Sequence, residues 1–222
     1  MKSCRTSDIQ EMRLTARTRS PETESPRHAP DDITEQAIRT FVKARLPRLV
    51  QSRSRALLVE EMEVCSGRAR IDLAVIGDRL IGIEIKGPQD SVTRLPDQAK
   101  AYSQCFDQVV LLVHESLAEK ALPLIPYWWG LIAGRQVDDR IRYRVERRPE
   151  TNPSVDLDEV LSLLWRAEID ALRYDLLGSN SRPRATKKSI RAELLPQVER
   201  SVLHQASLRK LRERTEWRGV PI

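Results

Sequence analysis

Two carboxylates and an ammonium, Asp72, Glu84 and Lys86, stand at a spacing that would gather them on one face of a β-hairpin, in the stretch RARIDLAVIGDRLIGIEIKGPQ over residues 68–89. Two alternating runs flank Gly77-Asp78-Arg79, a Gly-containing three-residue connection of the kind that closes hairpins. If Ile76 faces Leu80, then Ala74 faces Gly82, Asp72 faces Glu84 and Arg70 faces Lys86, because paired positions in an antiparallel ladder keep a constant sum. Alternation then sends Ile71, Leu73, Val75, Ile81, Ile83 and Ile85 toward a core. It leaves Arg70, Asp72, Glu84 and Lys86 on the other face. Directly opposed residues have Cβ atoms about 4.5–5.5 Å apart, where like charges destabilise, so Asp72 against Glu84 calls for a cation between them. An oxygen-liganded divalent metal would serve, and small neighbours at Ala74 and Gly82 would leave room for a phosphate. That is the equipment of phosphodiester hydrolysis. A solvated charged face is the plainer use of the same residues.

Asp72, an eleven-residue gap and then Glu84-Ile85-Lys86 resemble the signature of the PD-(D/E)XK, restriction-endonuclease-like nuclease superfamily. Gln98 to Tyr102 is similar to the QxxxY helix motif of its exonuclease-related branch, and the chain looks like the small bacterial and phage members. The position before Asp72 is Ile71 rather than Pro, a site that varies in the superfamily. The resemblance spans roughly residues 31–135. It implies an α/β fold with a central mixed sheet flanked by helices in the order αβββαβ. It also implies Mg²⁺ or Mn²⁺ held by Asp72, Glu84 and the main-chain carbonyl of Ile85. Lys86 would orient the attacking water, and Gln98 and Tyr102 would position the scissile strand.

The elements that must hold these groups can be read in order. Residues 1–30 are rich in Ser, Thr, Arg and Pro and read as a disordered leader. Asp32-Ile-Thr-Glu35 is a capping box for a helix that Pro47 ends. Glu35 serves either as that cap or as the extra acidic residue that related nucleases place near the metal. Ala56 to Val64 reads as a first strand, with Leu58 and Met62 on one face, and one of Glu60, Glu61 and Glu63 could reach the site. After Lys86, Gly87-Pro88 ends the third strand, and a loop carries Asp90 and Arg94 where a substrate strand would pass. Pro96 suits the first turn of a helix bearing Gln98 and Tyr102 four residues apart, hence on one face. Gln108 to His114 reads as a strand buried on both faces. Trp128 and Trp129 fit core packing better than a base-stacking platform.

Beyond a linker at Pro149 to Pro153, helices are expected over 156–177, 188–195 and 198–213. The chain thus divides into a leader over 1–30, a nuclease core over 31–150 and a helical basic extension over 154–222. The net charge of +6 is concentrated in that extension: residues 178–222 hold eleven Lys/Arg against four Asp/Glu. Such a block suits phosphate contact, with Lys187 and Lys188 beside Arg70, Asp90 and Arg94 as nucleic-acid-binding candidates. A solvated helical tail would look almost the same.

Three cysteines without a CxxC pair and three scattered histidines suggest neither a zinc ribbon nor a disulfide framework. No apolar run approaches the length of a membrane span, and no signal-peptide core follows Met1, so a cytoplasmic protein is expected. The expected partner is nucleic acid, DNA ahead of RNA, in repair, recombination or defence; a homodimer is compatible. A catalytically inactive nucleic-acid-binding protein on the same fold, or a protein-interaction module, are the alternatives.

Overall fold

The computed structural model describes Thr40, residues 56–137, residues 140–215 and Trp217. The leader, the expected capping box and Glu35 lie outside them. Six strands form one mixed sheet in sequence order: β1 (Leu57–Val64), β2 (Ala69–Ile76), β3 (Leu80–Lys86), β4 (Gln108–His114), β5 (Gly130–Val137) and β6 (Arg140–Arg147). β1, β2 and β3 pair antiparallel, β3–β4 and β4–β5 parallel, and β5–β6 antiparallel. A parallel neighbour needs a crossover. α1 (Leu95–Cys105) supplies the one between β3 and β4, and α2 (Glu115–Ala121) lies in the one between β4 and β5.

The hairpin register is the one expected: Ile76↔Leu80, Val75↔Ile81, Ala74↔Gly82 and Leu73↔Ile83. The ladder stops there, so Asp72 and Glu84, and Arg70 and Lys86, are not among its backbone pairs. β3 runs on against β4, with Glu84↔Leu111 and Lys86↔Val113.

Both faces of the sheet are buried at its centre, where every residue of β3 is buried, whereas β6 at the edge is largely exposed. One carries an aliphatic cluster contributed by strands alone among the described residues, with Leu73, Val75, Ile83, Ile85, Leu112 and Ile132. The other packs against α1 and forms the larger cluster, including Tyr102, Phe106, Trp128 and Trp129. The two tryptophans are 3% and 0% exposed, so they are core and not a stacking platform. Two residues sit on the opposite side from the one alternation predicts. Ile71 and Met62 belong to the α1-side cluster, and the Ile71 Cδ1 atom lies only 2.5 Å from where a Cβ on Gly82 would stand. A side chain at position 82 would require Ile71 to shift and would press on the Phe106 ring, 3.2 Å from the same point.

The helix expected over 156–177 is two: α3 (Leu157–Ser162) and α4 (Arg166–Leu177). Trp165 between them is extended, with its N–H donated to Glu168 Oε2 at 2.7 Å, which caps α4. Gly178 ends α4 with a left-handed φ of 69°, a conformation glycine adopts without a Cβ penalty. α5 (Lys187–Gln197) and α6 (Arg200–Glu213) follow. Ile190, Leu194, Leu203, Leu208 and Leu211 on them are 0% exposed and join the cluster that runs under α1. No helix among the described residues is long and apolar enough to cross a membrane.

Candidate active site

α1 is built to present two polar side chains to the sheet. Leu95, Ala99 and Tyr102 recur at helical spacing and are buried, Pro96 and Asp97 occupy its first turn, and Gln98 sits one turn before Tyr102. Both reach Glu84 on β3. Glu84 is 2% exposed, and three donors meet its carboxylate. Lys86 Nζ and Gln98 Nε2 each donate to Oε1 at 2.6 Å, and Tyr102 OH lies 2.9 Å from Oε2. A buried carboxylate stays charged only when paired and hydrogen-bonded, and Lys86, 6% exposed, is the pairing charge.

Asp72 stands where β2 and β3 part. Its Oδ2 accepts from the Ile85 N–H at 2.7 Å, the bond a strand carbonyl would otherwise make. In an extended strand the N–H and C=O of one residue point the same way, so the Ile85 carbonyl faces that opening too. Thus the structure gathers Asp72, Glu84, Ile85, Lys86, Gln98 and Tyr102 in one place. All six line a groove of about 890 Å³.

Two features mark an unfinished polar network. The Tyr102 hydroxyl has one proton but two acceptors, Arg70 O at 2.6 Å and Glu84 Oε2 at 2.9 Å. Gln98 Oε1 is buried with no hydrogen-bond partner. Flipping that amide would press oxygen against the Glu84 carboxylate, so the orphan acceptor stands; buried unpaired acceptors of this kind mark places where a water or ion belongs. Among the described residues no group of three or more His, Cys, Asp or Glu side chains is arranged as a metal cage. The oxygens at hand are instead two carboxylates, a main-chain carbonyl and a side-chain amide, a donor set that suits a hard cation. Six carboxylates and five cationic side chains line the groove. It therefore lacks the positive surplus that would hold a polyanion unaided.

The other candidates are placed unevenly. Arg70 lies across the strand from the buried Ile71, not on the Glu84 face. It lines the groove with its guanidinium on Glu61 at 2.8 Å. Asp90 and Arg94 also line the groove, but Asp90 Oδ2 accepts from the Gly87 N–H at 2.7 Å and so shapes the loop. Of the three β1 acids, Glu61 and Glu63 line the groove and Glu60 does not. Lys187 does not line it. Its Nζ donates to the carbonyls of Ser162 and Leu164 at 2.7 and 2.8 Å, tying α5 to the end of α3. Lys188 is exposed and away from the groove lining. Sequence reasoning missed Arg68 and Lys100 on the groove wall, where no motif marks them.

Burial, and next the Glu84 charge, push the Tyr102 phenol well above its ordinary value. An unfolded tyrosine ionises near ~10, so this group's contribution is fully present below that pH. It is lost as pH rises, because the unfolded chain releases a proton that the folded chain keeps. Urea midpoints for the wild type should therefore lose nothing from this group up to about pH 9 and should fall as pH rises past about 10. For Tyr102→Phe they should start lower and fall less; equal slopes would contradict the burial of this phenol.

Comparison with known proteins adds a family. The family model described as Bacteriophage P4 protein cII matches residues 28–218. Protein cII of Enterobacteria phage P4 is 23% identical over 129 residues, 57% of this chain and 49% of that protein. The chain thus spans about half the length of that curated relative. No solved structure matches.

Proposed function

We propose that this chain, which belongs to the Bacteriophage P4 protein cII family, is a metal-dependent nuclease with a restriction-endonuclease-like core, hydrolysing phosphodiester bonds of DNA. The observation that carries the reading is the buried Glu84 carboxylate, clamped by Lys86, Gln98 and Tyr102 beside an opening that Asp72 and the Ile85 backbone share. A stability-driven core would place none of these charges there, since a buried ion pair is often no better than well-packed apolar residues.

Asp72, Glu84 and the Ile85 carbonyl would hold Mg²⁺ or Mn²⁺, with Gln98 Oε1 the further oxygen at hand. Such an ion, when bound, lowers the pKa of water and offsets charge on a phosphoryl oxygen. Lys86 pairs with Glu84 at 2.6 Å and keeps an ammonium where an attacking water must be oriented and negative charge develops. Gln98 fixes the Glu84 carboxylate from the helix side. Tyr102 fixes it from below and ties α1 to β2 through the Arg70 carbonyl. Arg68, Arg94 and Lys100 stand along the groove to meet the phosphate backbone. The order βββαβ over the described core, and the hairpin placing Asp72 and Glu84-Ile85-Lys86, support the superfamily reading.

Cleavage of labelled single-stranded, double-stranded and branched DNA with Mn²⁺ or Mg²⁺ tests this. Activity is expected in the wild type. A chelator should abolish it and Lys86→Ala should reduce it about 10²–10³-fold, the scale of losing one preorganised electrostatic group. Nucleic acid bound but never cut would leave the catalytically inactive binding protein as the reading.

A further inference from the structure

The groove's acidic wall contains a residue in a backbone conformation that L side chains rarely adopt. Glu61 has φ 53° in the middle of β1. For a non-glycine residue this region brings Cβ against the following carbonyl, so it persists only where the surroundings demand it, and such residues cluster at working sites. β1 and β2 pair continuously except at one rung: Glu60↔Leu73 and Met62↔Ile71 are present, and Glu61 opposite Asp72 is missing. The side-chain alternation of both strands reverses across that rung. Leu57 and Val59, then Met62 and Val64, face α1 on β1; Ala74 and Ile76, then Ile71, face it on β2. At the same level β2 leaves β3, Leu73↔Ile83 being the last pair.

We propose that Glu61 is a positioning residue for the site: its left-handed backbone kinks the β1–β2 pair, parts β2 from β3, and so hands the Ile85 N–H to the Asp72 carboxylate. Without the kink, Ile71 would continue the ladder opposite Ile85, and the Asp72 carboxylate would lose the N–H it now holds. The device lies in the main chain, so the Glu61 carboxylate, paired with Arg70, is dispensable to it. Its purpose rests on the nuclease reading, but the geometry does not.

The test compares Glu61→Gly, free to keep the left-handed turn, with Glu61→Val, whose branched side chain favours extended backbone. Each is made with and without Asp72→Asn. The readouts are the NMR shift of the Ile85 amide, the thermal midpoint and the cleavage rate. Added to the wild type or to Glu61→Gly, Asp72→Asn should move the Ile85 amide. Glu61→Gly by itself should keep cleavage within about threefold and the midpoint as high or higher. Added to Glu61→Val, Asp72→Asn should leave the Ile85 amide where it is. Glu61→Val by itself should lower cleavage at least about 100-fold while KM stays within about threefold; Glu61→Ala is the milder substitute if the valine variant does not fold. An Ile85 amide that still responds to Asp72→Asn in Glu61→Val, or in its Glu61→Ala substitute, would overturn the proposal. So would a Glu61→Gly variant that loses as much activity as Glu61→Val, which would make the carboxylate the working part. If the wild type cuts nothing, the amide shift alone still decides the geometry and the nuclease reading fails separately.

Discussion

Glu84→Ala should stop cleavage and also cost about 3–5 kcal/mol of stability, the penalty of breaking a buried ion pair and leaving its partner charged in the interior. The stranded group is the Lys86 ammonium, 6% exposed and held at 2.6 Å by the carboxylate that has gone. Gln98 Nε2 and the Tyr102 hydroxyl would lose their acceptor with it. Since domains hold only about 5–15 kcal/mol in all, lost activity in this variant alone would be ambiguous. Glu84→Leu combined with Lys86→Met separates the two effects, because an apolar pair of similar volume replaces a buried ion pair at little cost. The double variant should recover most of the stability that Glu84→Ala loses, falling short of the wild type by about 1–3 kcal/mol because Gln98 Nε2 still lacks its carboxylate acceptor. It should still bind DNA through Arg68, Arg94 and Lys100, and cleave nothing. A double variant as unstable as Glu84→Ala would show that the pair is structural. One that still cuts would remove Glu84 and Lys86 from the chemistry.

The site was legible because it is local. A hairpin with a three-residue turn fixes its register, and the register brought Asp72 and Glu84-Ile85-Lys86 together; the i, i+4 spacing of Gln98 and Tyr102 did the same on the helix that follows. What the sequence hid is the break in alternation. A glutamate with positive φ carries no signal in a run such as Leu57–Val64, so Met62 and Ile71 were expected on the wrong face, and Asp72 was expected to pair with Glu84 rather than to take the Ile85 amide. The split between α3 and α4 was hidden for a similar reason. Leu161, Leu164 and Leu172 keep helical spacing through it, and only the Glu168 cap on Trp165 shows the stop.

The basic stretch is where charge counting misled most about physical role. Lys187 caps α3, Arg191 pairs with Asp158 at 2.7 Å, Arg214 pairs with Glu168 between the rings of Trp165 and Trp217, and Lys210 pairs with Asp175 at 2.9 Å. These cations hold helices together before they hold phosphate. Deleting residues 179–222 should therefore unfold the protein instead of merely weakening DNA binding. Five side chains that are 0% exposed, Ile190, Leu194, Leu203, Leu208 and Leu211, would leave the core. At about 1.5–3 kcal/mol for each buried aliphatic side chain, the loss is about 10 kcal/mol, comparable to the whole net stability of a domain. Leu161, Leu164 and Leu172, also fully buried, would face water in what remains. The truncated chain should show no cooperative urea transition and should bind a hydrophobic dye at neutral pH. A cooperative transition at the wild-type midpoint, with only a shallower salt dependence of DNA binding, would instead make the C-terminal helices a separable nucleic-acid arm.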